Sequence, residues 1–201
     1  KMLTPYGSNF KKDWRWHWRI DVTDFANILR DSVEIEYNHT GYEATTVGWD
    51  LNVSFHMELG DPVAQPIAYK KVYDGNFKYG DPENPIEESL TPQKIEMEEG
   101  TAFSRLRILH TGHGYDRPKG CSEFCSRWRE VLLDGESIDR RDMWKECADN
   151  NLYPQGGTWI FDRAYWCPGD LQAPDIIDFP VTNTSHTIDF EMEPYTATEN
   201  I

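Results

Sequence analysis

Between Trp14 and Ile20 the chain alternates Trp14, Trp16, Trp18 and Ile20 with Arg15, His17 and Arg19. That is the two-residue period of a strand buried on one face. The period returns in Val33, Ile35 and Tyr37, and again in Leu51, Val53, Phe55, Met57 and Leu59 against Asn52, Ser54, His56 and Glu58. Three strands of one sheet system are predicted, with a short turn or helical segment, Asp24 to Leu29, between the first two. From Asp74 to Pro92 the pattern stops. Gly75, Gly80, Pro82, Pro85 and Pro92 gather there with acidic residues, and the stretch reads as a linker. β-rich runs resume at Phe103 to His110, Glu130 to Leu133, Thr158 to Trp166 and Thr187 to Met192, the last alternating Ile188, Phe190 and Met192 with Asp189 and Glu191. No stretch carries a sustained helical stripe, so the predicted class is all-β, built of stacked antiparallel sheets.

Composition sharpens this picture. Eight Trp, ten Tyr and nine Phe bring the aromatic share to 13%, which suits β-sandwich interiors or sugar-stacking surfaces. With 35 acidic against 20 basic residues the formal charge is −15, a field that repels nucleic acid and anionic membranes. No apolar run approaches the roughly 20 residues of a membrane span, and no signal-peptide pattern follows Lys1. The expectation is a soluble, already processed chain. The four cysteines, Cys121, Cys125, Cys147 and Cys167, all stand in the second half. Their spacing favours disulfides over a zinc site and thereby an oxidising compartment, with the pairing left open. Three sequons begin at Asn38, Asn52 and Asn183.

Three segments could carry chemistry. His110-Thr-Gly-His-Gly114 closes a predicted strand in a glycine-flanked loop, which lets backbone approach a ligand near His113; a hydrogen-bonded turn histidine is the plain alternative, and no third ligand stands near enough for a metal. In Gly120-Cys-Ser-Glu-Phe-Cys125 a carboxylate sits between two cysteines, so a bridge there would hold Glu123 in one orientation, although loop glutamates are most often simply solvated. Tyr153 to Gly169 concentrates glycines, aromatics and Asp162-Arg163, where Arg163 could clamp a sugar oxygen or a carboxylate, or serve only to stabilise the loop.

Taken in order, Gly112-His113, Gly120 to Cys125 and Asp162-Arg-Ala-Tyr-Trp-Cys-Pro-Gly169 resemble the peptide-N-glycosidase F family. Ile20-Asp-Val-Thr-Asp-Phe25 and Thr4-Pro5-Tyr6 look like its first domain, so the likeness covers nearly the whole chain. The resemblance implies two consecutive antiparallel jelly-roll sandwiches. Residues 1–92 would be the remainder of the first, with the linker, and residues 93–201 the second. It implies a secreted, periplasmic or extracellular protein with bridges Cys121 to Cys125 and Cys147 to Cys167, and neither cofactor nor metal. Its activity would be hydrolysis of the amide joining asparagine to the first N-acetylglucosamine, its partners N-glycosylated proteins or glycopeptides, and its site would lie between the sandwiches. Glu123 and Arg163 match family site residues by motif; His113, Trp166 and Tyr165 are candidate substrate contacts. The family's catalytic aspartate belongs upstream of Thr-Pro-Tyr, so the expectation is that it comes from outside these residues, in a larger, nicked or companion chain. A second family glutamate falls near Asn38 to Thr40, with Glu43 as the nearest substitute; Asp116 and Asp162 are further candidate bases. The competing reading is a related glycan- or glycoprotein-binding module without catalysis. Copper-dependent oxygenation is a third, thinly supported by His110 and His113.

Overall fold

The computed structural model describes residues 4–6, 15–38, 49–61, 64–114, 116, 122–150, 152 and 154–197. The chain divides into two compact units, residues 19–69 and residues 1–18 together with 70–201. Among the described residues all six strands belong to the larger unit: β1 (Gln93–Glu96), β2 (Phe103–Ile108), β3 (Trp128–Leu133), β4 (Glu136–Asp142), β5 (Asp175–Pro180) and β6 (Ser185–Met192). They pair antiparallel throughout, as a four-stranded sheet of order β1-β6-β3-β4 and a two-stranded sheet of β2 with β5. The class expected from the sequence is therefore present.

The two sheets share one core. Val131 of β3, Phe179 of β5 and Ile188 of β6 are its buried centre, and Ile95, Leu106, Ile108, Leu133, Ile138, Ile177 and Phe190 pack around them. Alternation in β6 works as the pattern predicts, with His186 and Ile188 buried on one face. β4 has no apolar pattern of its own: Glu136, Asp139, Arg140, Arg141 and Asp142 make up most of it. It forms because β3 offers it a full ladder, with a register shift between Val131 and Leu132.

Three expectations need correction. The run Thr158 to Trp166 is not a strand; apart from one bridge between Lys145 and Arg163 it is turns and bends. The cause is Arg163, whose guanidinium binds the carbonyls of Thr158 and Phe161 and folds the backbone onto itself. Residues 74–92 do not run free as a linker, because Ile86 and Leu90, at either end of the four-residue helix α1 (Ile86–Ser89), are buried. The described parts of the three predicted strands, residues 15–18 of the larger unit and 19–20, 33–37 and 51–59 of the smaller, join no ladder. Val33, Ile35, Leu51, Val53, Phe55, Met57 and Leu59 stand exposed there. Alternation selects the face a strand would bury, whereas a ladder also needs a neighbouring edge, and no described residue supplies one. This unit is organised instead by a 3-10 turn, Thr23–Phe25. The Asp21 carboxylate accepts its first N–H at 2.9 Å, and Phe25 stacks on Tyr69 at 5.9 Å. Trp14 lies outside the described residues.

β2 ends, β3 begins, β4 ends and β5 begins on one side of the larger unit, since Ile108 pairs with Asp175 and Trp128 with Asp142. The loops that the sequence singled out all leave from there.

Candidate active site

Glu123 sits in a single 3-10 turn, Ser122–Phe124, ahead of β3. The left-handed backbone of Ser122, φ +51°, sets the direction of that turn. The turn is fastened to the 109–114 loop by two bonds: the Glu123 N–H donates to the Gly114 carbonyl at 3.3 Å, and the Gly114 N–H donates to Glu123 Oε2 at 3.3 Å. Arg163 Nε approaches the other carboxylate oxygen at 3.5 Å. The motif-matched pair is thus brought together. Burial pushes the Glu123 carboxyl above the usual carboxylate range, more strongly than the Gly114 N–H and the Arg163 charge pull it down. Such a group keeps its proton to higher pH than an ordinary glutamate and can serve as an acid or as a donor to substrate.

Arg163 is fully buried, and most of its donors are spent inside its own loop. Nη1 binds the Phe161 carbonyl at 2.8 Å, while Nη2 binds the Thr158 carbonyl and hydroxyl, each at 2.9 Å. Its guanidinium carbon stands 4.8 Å from the Trp166 ring centre and 5.0 Å from that of Phe124. In this arrangement Arg163 orients Glu123 and does not open toward solvent. Trp166 is only 5% exposed. Its ring stacks on His113 at 4.1 Å, so the exposed ring of the pair is His113. Asp162 accepts the Cys147 N–H at 3.0 Å and Asp116, wholly buried, accepts the Tyr195 hydroxyl, which gives both candidate bases structural duties. Glu43 lies outside the described residues.

Ala164 ties the loops to one another. Its N–H donates to the Glu123 carbonyl at 2.8 Å and its carbonyl accepts the Gly112 N–H at 2.9 Å. A Cβ added to Gly112 would meet that of Ala164 at 2.9 Å, too close for any side chain without movement. The bridge Cys147 to Cys167, spanning 20 residues, closes the loop from below. Cys125 is also disulfide-bonded, while its expected partner Cys121 lies outside the described residues.

Sequence reasoning missed what stands behind Tyr165. Arg129, Asp175, Arg141 and Asp139 close a ring of alternating charge: Arg129 reaches Asp139 through Nη1 and Asp175 Oδ2 through Nη2 at 2.5 Å, and Arg141 binds Asp175 Oδ1 at 2.8 Å and Asp139 Oδ1 at 2.6 Å. The ring joins the two sheets, β3 and β4 on one side and β5 on the other. The Tyr165 hydroxyl donates to Asp175 Oδ1 at 2.7 Å. Burial, then Asp175, push the Tyr165 phenol up. Tyr165 holds φ +63°, a left-handed conformation that costs a residue with a side chain roughly 1 to 2 kcal/mol. His110 stacks on Tyr165 at 4.7 Å, and among the described residues neither of its buried ring nitrogens has a hydrogen-bond partner. Burial, with Arg129 and Arg141 adding to it against Asp175, lowers the His110 imidazole to about 4, so it is neutral at physiological pH. The one available signal was the pair of arginines twelve positions apart in two charged runs, which reads equally as surface. Among the described residues no three His, Cys, Asp or Glu side chains gather as a metal site requires, and no helix is long and apolar enough to cross a membrane.

Residues 82–200 match the family model described as "Peptide-N-glycosidase F, C terminal". The chain is 26% identical, over 213 residues, to a peptide-N(4)-(N-acetyl-beta-D-glucosaminyl)asparagine amidase F of Elizabethkingia miricola, an alignment taking in 98% of this chain and 58% of that protein. It thus spans little more than half the length of this curated relative. A crystal structure of a peptide-N(4)-(N-acetyl-beta-D-glucosaminyl)asparagine amidase resembles it with a TM-score of 0.50 and 23% identity, over 54% of this chain and 38% of that one. A glycosylasparaginase structure from Flavobacterium meningosepticum aligns over the same shares at 23% identity with a TM-score of 0.46.

Proposed function

Since this chain belongs, through residues 82–200, to the peptide-N-glycosidase F family, we propose that it hydrolyses the amide between asparagine and the first N-acetylglucosamine of N-linked glycans. The observation that carries the reading is Glu123, a half-buried carboxyl held by Gly114 and Arg163, with its proton retained above the usual range. In the reaction water adds to the asparagine amide carbon, the C–N bond breaks, and aspartate and a glycosylamine leave. Glu123 protonates the departing nitrogen or fixes the amide against the attacking water, and Arg163 holds Glu123 in place. His113 is the exposed ring against which a sugar packs; Trp166 supports it from beneath. The resemblance assigns the attacking-water step to an aspartate of a segment upstream of Thr4-Pro5-Tyr6; Glu43 is the nearest substitute for a further family glutamate that this sequence does not match. The proposal extends to two jelly-roll sandwiches, to a secreted or periplasmic setting consistent with the bridge Cys147 to Cys167, and to N-glycosylated proteins or glycopeptides as substrates.

The test is release of glycan from a denatured glycoprotein in ¹⁸O-labelled water, by residues 1–201 alone and together with the family's aspartate-bearing segment. Label appearing in the new aspartate, from the combined protein only, is expected. In that protein Glu123→Gln should lower turnover by a factor on the order of 10² or more. Unchanged turnover would remove Glu123 from the chemistry. Glycan binding without release by either preparation would make the chain a binding module.

A further inference from the structure

The strained backbone of Tyr165 lies between two anchors. Behind it, the hydroxyl is held at 2.7 Å by Asp175, which is itself fixed by Arg129 and Arg141. In front, the adjacent Ala164 gives its N–H to the Glu123 carbonyl and takes the Gly112 N–H. A left-handed aromatic residue persists only where its surroundings over-determine it, and here every restraint bears on the turn that carries Arg163, Ala164 and Trp166. From this geometry we propose that Tyr165 and Asp175 are a positioning pair that sets the Glu123 carboxyl and its loop, a role resting on the amidase reading of that site.

The chain of contacts is continuous and short. The charge ring fixes Asp175 between the two sheets, Asp175 fixes the Tyr165 hydroxyl, and the Tyr165 turn fixes Ala164. Ala164 then fixes the Glu123 turn and the Gly112-His113 loop together. The Tyr165 ring, stacked on His110, has its hydroxyl turned to the protein, so its contribution to substrate is through Glu123 and not through contact. Loosening this turn would let water reach Glu123, whose retained proton depends first on burial.

Tyr165→Phe keeps the ring and the stack on His110 and removes only the hydroxyl. Carboxyl-labelled glutamate NMR of the full chain, with the Glu123 signal assigned by its loss in Glu123→Gln, reads the titration directly. The expected result is that Glu123 titrates closer to an ordinary glutamate in Tyr165→Phe. The control Tyr73→Phe also loses a hydrogen-bonded hydroxyl, one that donates to the carbonyls of Thr91 and Ile188, and should leave Glu123 unmoved. Identical Glu123 titration in Tyr165→Phe and the parent would overturn the proposal. If Tyr165→Phe fails to fold, amide exchange of the parent chain decides instead: Gly112, Ala164 and Tyr165 must open as one unit, and independent opening overturns the pair. In the active protein kcat should fall about tenfold in Tyr165→Phe with KM little changed, as expected when a reacting group is displaced. Absence of any amidase activity would sink the amidase reading alone, since the titration and exchange results stand without it.

Discussion

Residues 19–69 carry the cleanest strand patterns in the chain and form no ladder among their described residues, whereas β4, nearly all charge, is fully paired. Leu59 is wholly exposed and Ile35 is 54% exposed, while the arginine of β3, Arg129, is fully buried. The contrast separates two things that sequence patterns conflate. An amphipathic period states which face a segment would bury if it had a partner. Whether it becomes a strand depends on an edge to pair with, and a polar strand will form where its neighbour supplies that edge and its charges find opposite charges inside.

Breaking the charge ring should have the largest effect. Arg129→Met removes the fully buried member of the ring and leaves Asp139 and Asp175 short of a partner, and is expected to cost about 3 to 5 kcal/mol in chemical denaturation; a loss below 1 kcal/mol would mean that the ring contributes nothing to the folded state. A matched pair of deletions sharpens the comparison next. Ile188→Ala, in the shared core, should cost about 2 to 4 kcal/mol, and Ile35→Ala no more than about 0.5 kcal/mol. Comparable losses at the two positions would show that the smaller unit has a core of its own.

The pH dependence of His110 is the gentler probe, because it perturbs the same ring by one proton. Its imidazole is lowered from 6.5 to about 4 in the fold, so the unfolded chain binds the extra proton between those values. Stability therefore is complete above pH 6.5 and falls as pH drops toward 4, by on the order of 3 kcal/mol from this residue alone. His110→Phe should flatten that part of the stability profile; an unchanged slope would place the titration elsewhere.

Much of the larger unit was legible because its apolar strands declare themselves: β6 through Ile188, Phe190 and Met192, β2 through Leu106 and Ile108, β3 through Val131 and Leu133. β5 was hidden by Asp175 and Asp178, the first turned inward to Arg129 and the second paired outward with Arg105 at 2.7 Å. Thr158 to Trp166 looked like a strand for the opposite reason, its aromatic residues being spent on a turn wound about Arg163. Glu123 and Arg163 could be paired from their motifs, since cysteine-bounded loops keep their chemistry local in sequence. The ring behind Tyr165 could not, because its members come from three strands and an ion pair has no sequence period.

The close approach of Gly112 to Ala164 also bears on how such a site can diverge. Because a methyl group at Gly112 would strike the one at Ala164, position 112 is not free to enlarge while Ala164 keeps its side chain. A lineage that enlarges the residue at 112 must first have lost the side chain at 164, and the loop bearing His113 and the loop bearing Arg163 are inherited as one block.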